Sequence, residues 1–370
     1  MRISISNTCK TFTTFNINKP MKNKTKIEAI DLFSGIGGLT YGLKKAGIDV
    51  LAGLDNDESC AVAYKKNNKA EFILADVSKY DFKELKKMFS NDSYKVLVGC
   101  APCQPFSSHA FKQRKKGKDE RWNMLDHFVR AIEVVKPDLV SMENVRGVTK
   151  EDVFENFVKR LEEMRYKVDY KVVYAPDYGV PQNRSRLILL ASRLGKINVP
   201  QKTHSKDNYV TVGDVIKKLP KLKAGQKDKK DPMHQAKNLS ETNIKRINQS
   251  KPGGSWKDWD KKLLPECYKK DSGQTYTSVY GRMRWNEVSP TITTQFASYG
   301  SGRFGHPEQD RAISLREGAM LQTFPVSYDF GNLPMTQLCR HIGKALPPQL
   351  GVVIGKAIKE HIKKYERSTR

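Results

Sequence analysis

Between residue 27 and about residue 190, short apolar runs alternate with helical patterns, and this alternation limits the chain to few folds. Strand candidates lie at 29–33, 50–54, 71–74, 96–99, 139–143 and 187–191, with helix spacing between them, as at 128–135 and 153–164. Apolar strands separated by amphipathic helices bury their side chains on both faces only when helices cover both sides of a mostly parallel sheet. The expected fold is therefore a doubly wound, mostly parallel α/β sheet.

From about residue 199 to 307 the character changes. Lysine, glycine, proline and tryptophan interrupt every long period, and 226–230 and 251–260 read as loops. Trp256, Trp259, Tyr276, Tyr280 and Trp285 argue against a disordered insertion, because disordered segments are usually poor in aromatics. Helical patterning resumes at 316–323 and 349–364, and the last segment, apolar on one face, is expected to dock on the first domain. The organisation expected is a tail at 1–26, a first domain at 27–198, a smaller irregular domain at 199–307 and a returning segment at 308–370. The tail lacks apolar periodicity and precedes a second candidate initiator, Met21, so it is expected to be disordered or untranslated.

Lys and Arg outnumber Asp and Glu by 66 to 40, a formal net charge of +26 over 370 residues. So strong a positive field favours a polyanionic partner, nucleic acid first. No apolar run approaches the ~20 residues that span a membrane. The six cysteines form neither a disulfide framework nor a paired zinc motif, and Cys100-x-x-Cys103 stands alone. Reduced thiols without a secretory signal point to the cytoplasm.

Four motifs carry chemistry. Asp31-Leu32-Phe33-Ser34-Gly35-Ile36-Gly37-Gly38 follows a strand and opens a helix, so backbone amides face whatever binds there. Thr40 stands where the third glycine of a dinucleotide fingerprint would fall, which disfavours a nicotinamide oxidoreductase. Asp55 and Asp76 close the next two strands, where such a fold places carboxylates for a nucleoside; singly, each also reads as a helix cap. Ala101-Pro102-Cys103-Gln104 puts a thiol at a strand end before a basic loop, the placement of a nucleophile. Met142-Glu143-Asn144-Val145 ends the following strand, and burial there would raise the carboxyl into a proton donor. Gln182-Asn183-Arg184-Ser185-Arg186 leads into the last strand with two arginines aimed the same way.

With Arg316-Glu317-Gly318-Ala319-Met320-Leu321-Gln322-Thr323-Phe324-Pro325 added, the set in this order resembles the DNA (cytosine-5)-methyltransferase family, over roughly residues 27–358. The resemblance implies S-adenosylmethionine as cofactor, held by Phe33 on adenine, Asp55 on the ribose, Asp76 on the adenine amine, and Ser34, Gly35, Gly37, Gly38 and Pro102 around it. It implies Cys103 as the nucleophile on carbon 6 of a cytosine, Glu143 on ring nitrogen 3 and the exocyclic amine, and Arg186 on oxygen 2, with Arg184 beside it. The loop 107–121 would close over DNA after base flipping, bringing Ser107 and Arg121 to it. Residues 199–307 would recognise the target, with Arg282, Arg284, Thr291 and Thr293 at the DNA. The chemistry implied requires no metal, and no ligand cluster is visible in the sequence.

Two positions depart from the family pattern: Asn56 replaces an aromatic, and Gly343-Lys344-Ala345-Leu346-Pro347 replaces a closing Gly-Asn. The expected partner is double-stranded DNA, in a bacterial restriction–modification pair with a cognate endonuclease, and the expected state is monomeric. The competing readings are a tRNA cytosine methyltransferase, which carries a smaller recognition region, and a silent DNA-binding regulator, which need not keep Cys103, Glu143 and Arg186.

Overall fold

The structure, a computed structural model, describes residues 26–102, 124–275 and 277–369. Along the chain, β1 (Lys26–Leu32), α1 (Gly38–Lys45), β2 (Asp49–Asp55), α2 (Ala61–Asn68), β3 (Glu71–Leu74), α3 (Phe82–Met88), β4 (Ser93–Gly99), α4 (Met124–Val135), β5 (Leu139–Val145), α5 (Asp152–Glu163), β6 (Lys167–Tyr174) and β7 (Ser185–Ser192) build the α/β body. They form one seven-stranded sheet in the order β3-β2-β1-β4-β5-β7-β6. The first five strands pair in parallel, while β7 is antiparallel to both β5 and β6.

Burial on both faces explains the continuous apolar strands. Val96, Leu97 and Val98 are all fully buried, as are Leu139 and Val140. One face packs against α3, α4 and α5 through Phe82, Phe128, Ile132 and Phe157. α4 buries Leu125, Phe128, Val129, Ile132 and Val135, the three- and four-residue spacing of a core-facing stripe. The other face is covered by α1 and by α11 (Pro348–Ser368), which buries Leu350, Val353, Ile354, Ile358 and Ile362. Each such side chain contributes roughly 1.5–3 kcal/mol. Helix α11 crosses α1 at backbone distance: a Cβ at Gly42 would meet the Pro348 carbonyl at 2.2 Å.

One strand went unforeseen. β6 lies at the sheet edge, with Tyr170 and Val172 half exposed. Lys167, Asp169 and Lys171 break its apolar run, the charge expected of an edge strand.

Residues 199–307 hold only short helices, α6 (Val212–Ile216), α7 (Glu241–Gln249) and α8 (Glu266–Lys269), joined by turns and isolated bridges. They are folded around aromatics: Trp256 stacks on Tyr268 at 4.8 Å, and the Trp259 indole donates to Ser250 Oγ at 2.8 Å. Tyr276 lies outside the described residues. Met283, Ile292, Phe296 and Phe304 share a core with Ile36 and Tyr64 of the α/β body. After this stretch, α9 (Leu315–Leu321) begins with a Ser314–Glu317 capping box, and α10 (Met335–Lys344) leads to α11. None of the described helices is long and apolar enough to cross a membrane.

Candidate active site

The parallel strands end on a common edge, so their C-terminal residues converge there. β1 delivers Phe33, β2 delivers Asp55, β4 delivers Cys100 and Pro102, and β5 delivers Glu143. Because β7 is antiparallel, its beginning arrives at the same edge: Arg186 pairs in register with Val145. Asp76 follows β3 and is exposed, its carboxylate accepting from Ser78 N at 2.8 Å. Cys103, Ser107 and Arg121 lie outside the described residues.

The turn after β1 is built to keep its backbone open. Phe33 has φ 59°, a left-handed conformation that a bulky side chain rarely adopts. Such strain persists only where the surroundings impose it. Gly35 has φ 52°, and a Cβ there would touch nothing within 4 Å, so the turn borders a cradle. Gly35 N donates to Asp55 Oδ2 at 2.8 Å and Asp57 N to Asp55 Oδ1 at 2.9 Å, fixing that carboxylate while leaving it acceptor capacity. Burial raises the Asp55 carboxyl above its ordinary range. Lys344 acts on Asp55 as a nearby positive charge, so the departure in the closing motif sits at this crevice. Gly38 is tight: a Cβ would lie 2.3 Å from the Leu346 carbonyl.

Two buried oxygens next to this cradle, Asp31 Oδ1 and Ser34 Oγ, have no hydrogen-bond partner among the described residues. Thr40 takes the other Asp31 oxygen at 2.7 Å, which explains the residue at the third-glycine position. The glycine turn, the fixed carboxylate and the spare polar atoms suit a nucleoside carrying an amino acid.

Glu143 is 8 % exposed. Arg186 Nε lies 3.0 Å from its Oε1. The guanidinium is off the hydrogen-bonding direction, and Oε1 has no hydrogen bond among the described residues. Arg186 Nη1 is held by the Ser185 carbonyl at 2.8 Å. Arg184 is buried against Gln182 Oε1 and the Ala345 carbonyl, both at 3.4 Å, and its charge acts on Cys100. The two arginines thus enter one neighbourhood, with Arg186 Nε in charge contact with Glu143. Desolvation, with the Glu143 charge second, pushes the Cys100 thiol well above its ordinary range, so Cys100 stays protonated. That removes it as a competing thiolate.

Three features were not foreseen. Gln182 is fully buried and links the arginine segment to the C-terminal part: its amide donates to Gln322 Oε1 at 2.8 Å, and its Oε1 accepts from Ile292 N at 3.0 Å. Ser289 pairs with Gln182, and Thr291 Oγ1 donates to the Asn183 carbonyl, so the segment through Thr293 is tied to the arginine lead. The half-buried Thr293 lies against the closing motif, where a Cβ on Gly343 would be 2.4 Å from its carbonyl. The sequence signal for this link was the pair of glutamines within motifs already singled out.

Second, the structure buries Arg282, which was expected at the DNA. It is 5 % exposed, and its guanidinium is spent on the carbonyls of Ser250, His306, Gln309 and Ile247 and on Asp310. A buried guanidinium must satisfy its donors, and these five acceptors leave none for a base. Arg284 is exposed, with Glu287 2.6 Å away. Third, the fold brings together three donors that the sequence did not show as a cluster: Asp57, Cys60 and His341 place one donor atom each within 4.8 Å of one another.

The family model for C-5 cytosine-specific DNA methylase matches residues 27–360. A Type II methylase of Herpetosiphon aurantiacus, M.HgiDII, is 50 % identical over 339 residues, covering 90 % of this chain and 95 % of that protein. The Type II methyltransferase M1.HphI of Haemophilus parahaemolyticus is 31 % identical, covering 89 % and 86 %. In fold, the chain resembles the crystal structure of a putative DNA modification methyltransferase encoded within an Escherichia coli prophage, with TM-score 0.70 and 22 % identity, covering 91 % of this chain and all of that one. The family match spans both the cofactor-type cradle and the Glu143–Arg186 edge, and this chain belongs to the C-5 cytosine-specific DNA methylases.

Proposed function

We propose that this enzyme methylates carbon 5 of a cytosine within a specific site in double-stranded DNA, as the modification half of a Type II restriction–modification pair. The carrying observation is Glu143: a nearly buried carboxylate with an unused oxygen, held 3.0 Å from Arg186, on the strand next to the one that leads to Cys103. A flipped cytosine presents a carbonyl flanked by a ring nitrogen, with an amine beyond. An arginine and a carboxyl side by side match that edge.

Cys103 as thiolate forms a bond to carbon 6, and the displaced electron pair makes carbon 5 nucleophilic. Glu143 carries the proton that ring nitrogen 3 gains in the adduct, and Arg186 holds oxygen 2. S-adenosylmethionine, when bound, supplies an electrophilic methyl sulfonium. Phe33 covers the adenine, Asp55 takes the ribose hydroxyls, Asp76 the adenine amine, and Ser34, Gly35, Gly37, Gly38 and Pro102 line the remainder. After methylation, water takes the carbon-5 proton, the electron pair of that C–H bond re-forms the 5,6 double bond and expels the Cys103 thiolate, and the proton on ring nitrogen 3 returns to Glu143, which regenerates the enzyme.

Residues 199–307 recognise the target, Ser107 and Arg121 meet the DNA backbone on closure, and Arg284, Thr291 and Thr293 face the DNA. A net charge of +26 supports duplex binding. The enzyme works as a monomer in the bacterial cytoplasm, beside an endonuclease cutting the same site.

The test is mechanism-based trapping. DNA containing 5-fluorocytosine should give a denaturation-resistant one-to-one complex with the wild type in the presence of S-adenosylmethionine. Cys103→Ala should give none, have no methyl transfer, and still bind DNA. Substantial methylation by Cys103→Ala overturns the assignment.

A further inference from the structure

Away from the Glu143 edge, the loop after β2 and the helix α10 bring together an Asp, a Cys and a His that the methyl-transfer chemistry does not use. We infer that Asp57, Cys60 and His341 form a binding site for one borderline-soft divalent cation of the zinc class. The inference does not depend on the proposed reaction.

Geometry carries it. Cys60 Sγ and His341 Nδ1 are 3.6 Å apart, and both residues are buried. Zinc–sulfur and zinc–nitrogen bonds of about 2.3 and 2.0–2.1 Å at a tetrahedral angle require an S···N edge of about 3.6 Å. The Asp57 carboxylate completes a set whose donor atoms all lie within 4.8 Å. Its side chain is 32 % exposed, so the site has an entry path and room for a water as fourth ligand.

The ring is oriented for the task. His341 Nε2 lies 2.9 Å from Ser59 Oγ, whose own hydroxyl donates to Asp57 Oδ1. With that hydroxyl proton committed to Asp57, Ser59 Oγ accepts from Nε2–H. The neutral imidazole then carries its lone pair on Nδ1, facing the Cys60 sulfur. Ligating histidines characteristically give their other N–H to an oxygen in this way, which fixes the tautomer. Without metal, the Cys60 S–H donates to Nδ1. On binding, the cation replaces that proton: M²⁺ plus Cys60–SH gives a Cys60 thiolate–metal bond and one H⁺ released to solvent.

The charged groups around the site are Asp55 at the end of β2, Asp57 on the loop after it, and Arg340 and Lys344 on α10. Arg340 Nη2 is 3.0 Å from Asp57 Oδ2 and nearly half exposed, so it can swing aside. Asp57 lies two residues past Asp55, and His341 precedes Gly343-Lys344. An ion here would clip together two segments that border the cofactor crevice.

The test uses chelator-treated full-length protein carrying Cys103→Ala, so that the proposed nucleophile contributes no thiolate. Titration with Co²⁺ should saturate at one equivalent, with visible bands of tetrahedral cobalt, a thiolate-to-cobalt charge-transfer band and one proton released. Cys60→Ser and His341→Gln, checked for folding by circular dichroism, should each weaken binding at least tenfold. X-ray absorption of the zinc-loaded parent protein should show one sulfur and otherwise nitrogen or oxygen ligands. Absence of tetrahedral bands, a zinc shell without sulfur, or unchanged binding in folded His341→Gln overturns the inference.

Discussion

The edge of the parallel sheet and the Arg282 and Arg311 sites in and just beyond the irregular stretch treat buried charge in opposite ways, although Arg303 Nε and Arg316 Nη1 nearby are also buried without a hydrogen bond among the described residues. At the edge, Glu143 Oε1, Asp31 Oδ1 and Ser34 Oγ are buried with no hydrogen bond among the described residues. In the irregular stretch and just beyond, Arg282 uses five acceptors, and Arg311 grips Glu317 through two contacts of 2.7 and 2.8 Å, both residues nearly inaccessible. A buried polar atom without a partner costs about 1–3 kcal/mol, so three such oxygens at one sheet edge call for a partner that the described residues do not supply. A saturated buried arginine marks a place where charge substitutes for a poor apolar core. The described residues of 199–307 have no extended sheet to satisfy their backbone, and Arg282 does so side-on, donating to the carbonyls of Ser250, His306, Gln309 and Ile247.

The comparison breaks most easily at Arg282. Arg282→Ala should destabilise the protein by about 3 kcal/mol or more, since several buried carbonyls lose donors at about 1–3 kcal/mol each. Methylated sites, mapped by bisulfite sequencing below the melting temperature, should be unchanged. A folded Arg282→Ala of normal stability with relaxed site choice would show that the buried arginine reads DNA after all. Glu143→Gln should do the reverse: a rate loss of about 10²-fold, with DNA affinity and melting temperature nearly unchanged. A large drop in melting temperature would make Glu143 structural.

The two regions should also respond oppositely to pH. Burial pushes the Asp31 carboxyl up to about 7. The folded state then holds a proton that the unfolded chain releases near pH 4, so this contribution to stability is full below about 4 and is lost as pH rises to about 7. Burial pushes His306 down to about 4, against the pull of Glu317. There the unfolded chain binds the extra proton, so stability is full above about 6.5 and is lost as pH falls through about 4. Denaturant titrations of Asp31→Asn and His306→Gln across pH 4–7 should each remove one slope, of at most about 1.4 kcal/mol per pH unit. Slopes of the same sign would refute the contrast. The smallest effect belongs to Arg284: Arg284→Ala should change stability by about 0.5 kcal/mol or less, because its Glu287 pair is exposed. If Arg284 contacts a guanine, discrimination at one base pair should fall by about 1–3 kcal/mol in binding competition.

Legibility followed the same division. Strands buried on both faces announce themselves as apolar runs, which is why β3 matches its expected bounds, β2, β4, β5 and β7 extend theirs by only a few residues, and β1 begins at Lys26 and ends at Leu32 against an expected 29–33. β6 was missed although Val168, Tyr170 and Val172 alternate, because its intervening residues are charged and its edge position requires no apolar run. Site residues at strand ends could be read in order, since a parallel sheet gathers strand ends whatever the loops do. The burial of Arg282 was missed because an arginine in a basic, aromatic segment looks the same in sequence whether it faces a base or four carbonyls and a carboxylate.

The sequence by itself determined the layered sheet, the glycine turn after β1, the carboxylates after β2 and β3, and the order of the motifs. These depend on local spacing: period-two and helical patterning, and residues adjacent to strand ends. Only the tertiary structure decided that Arg186 contacts Glu143, that Gln182 joins Gln322 and Ile292, and that Cys60 meets His341 across 281 residues. Such contacts depend on how segments far apart in the chain pack, and two side chains brought within hydrogen-bonding distance that way leave no periodic trace in the chain that carries them.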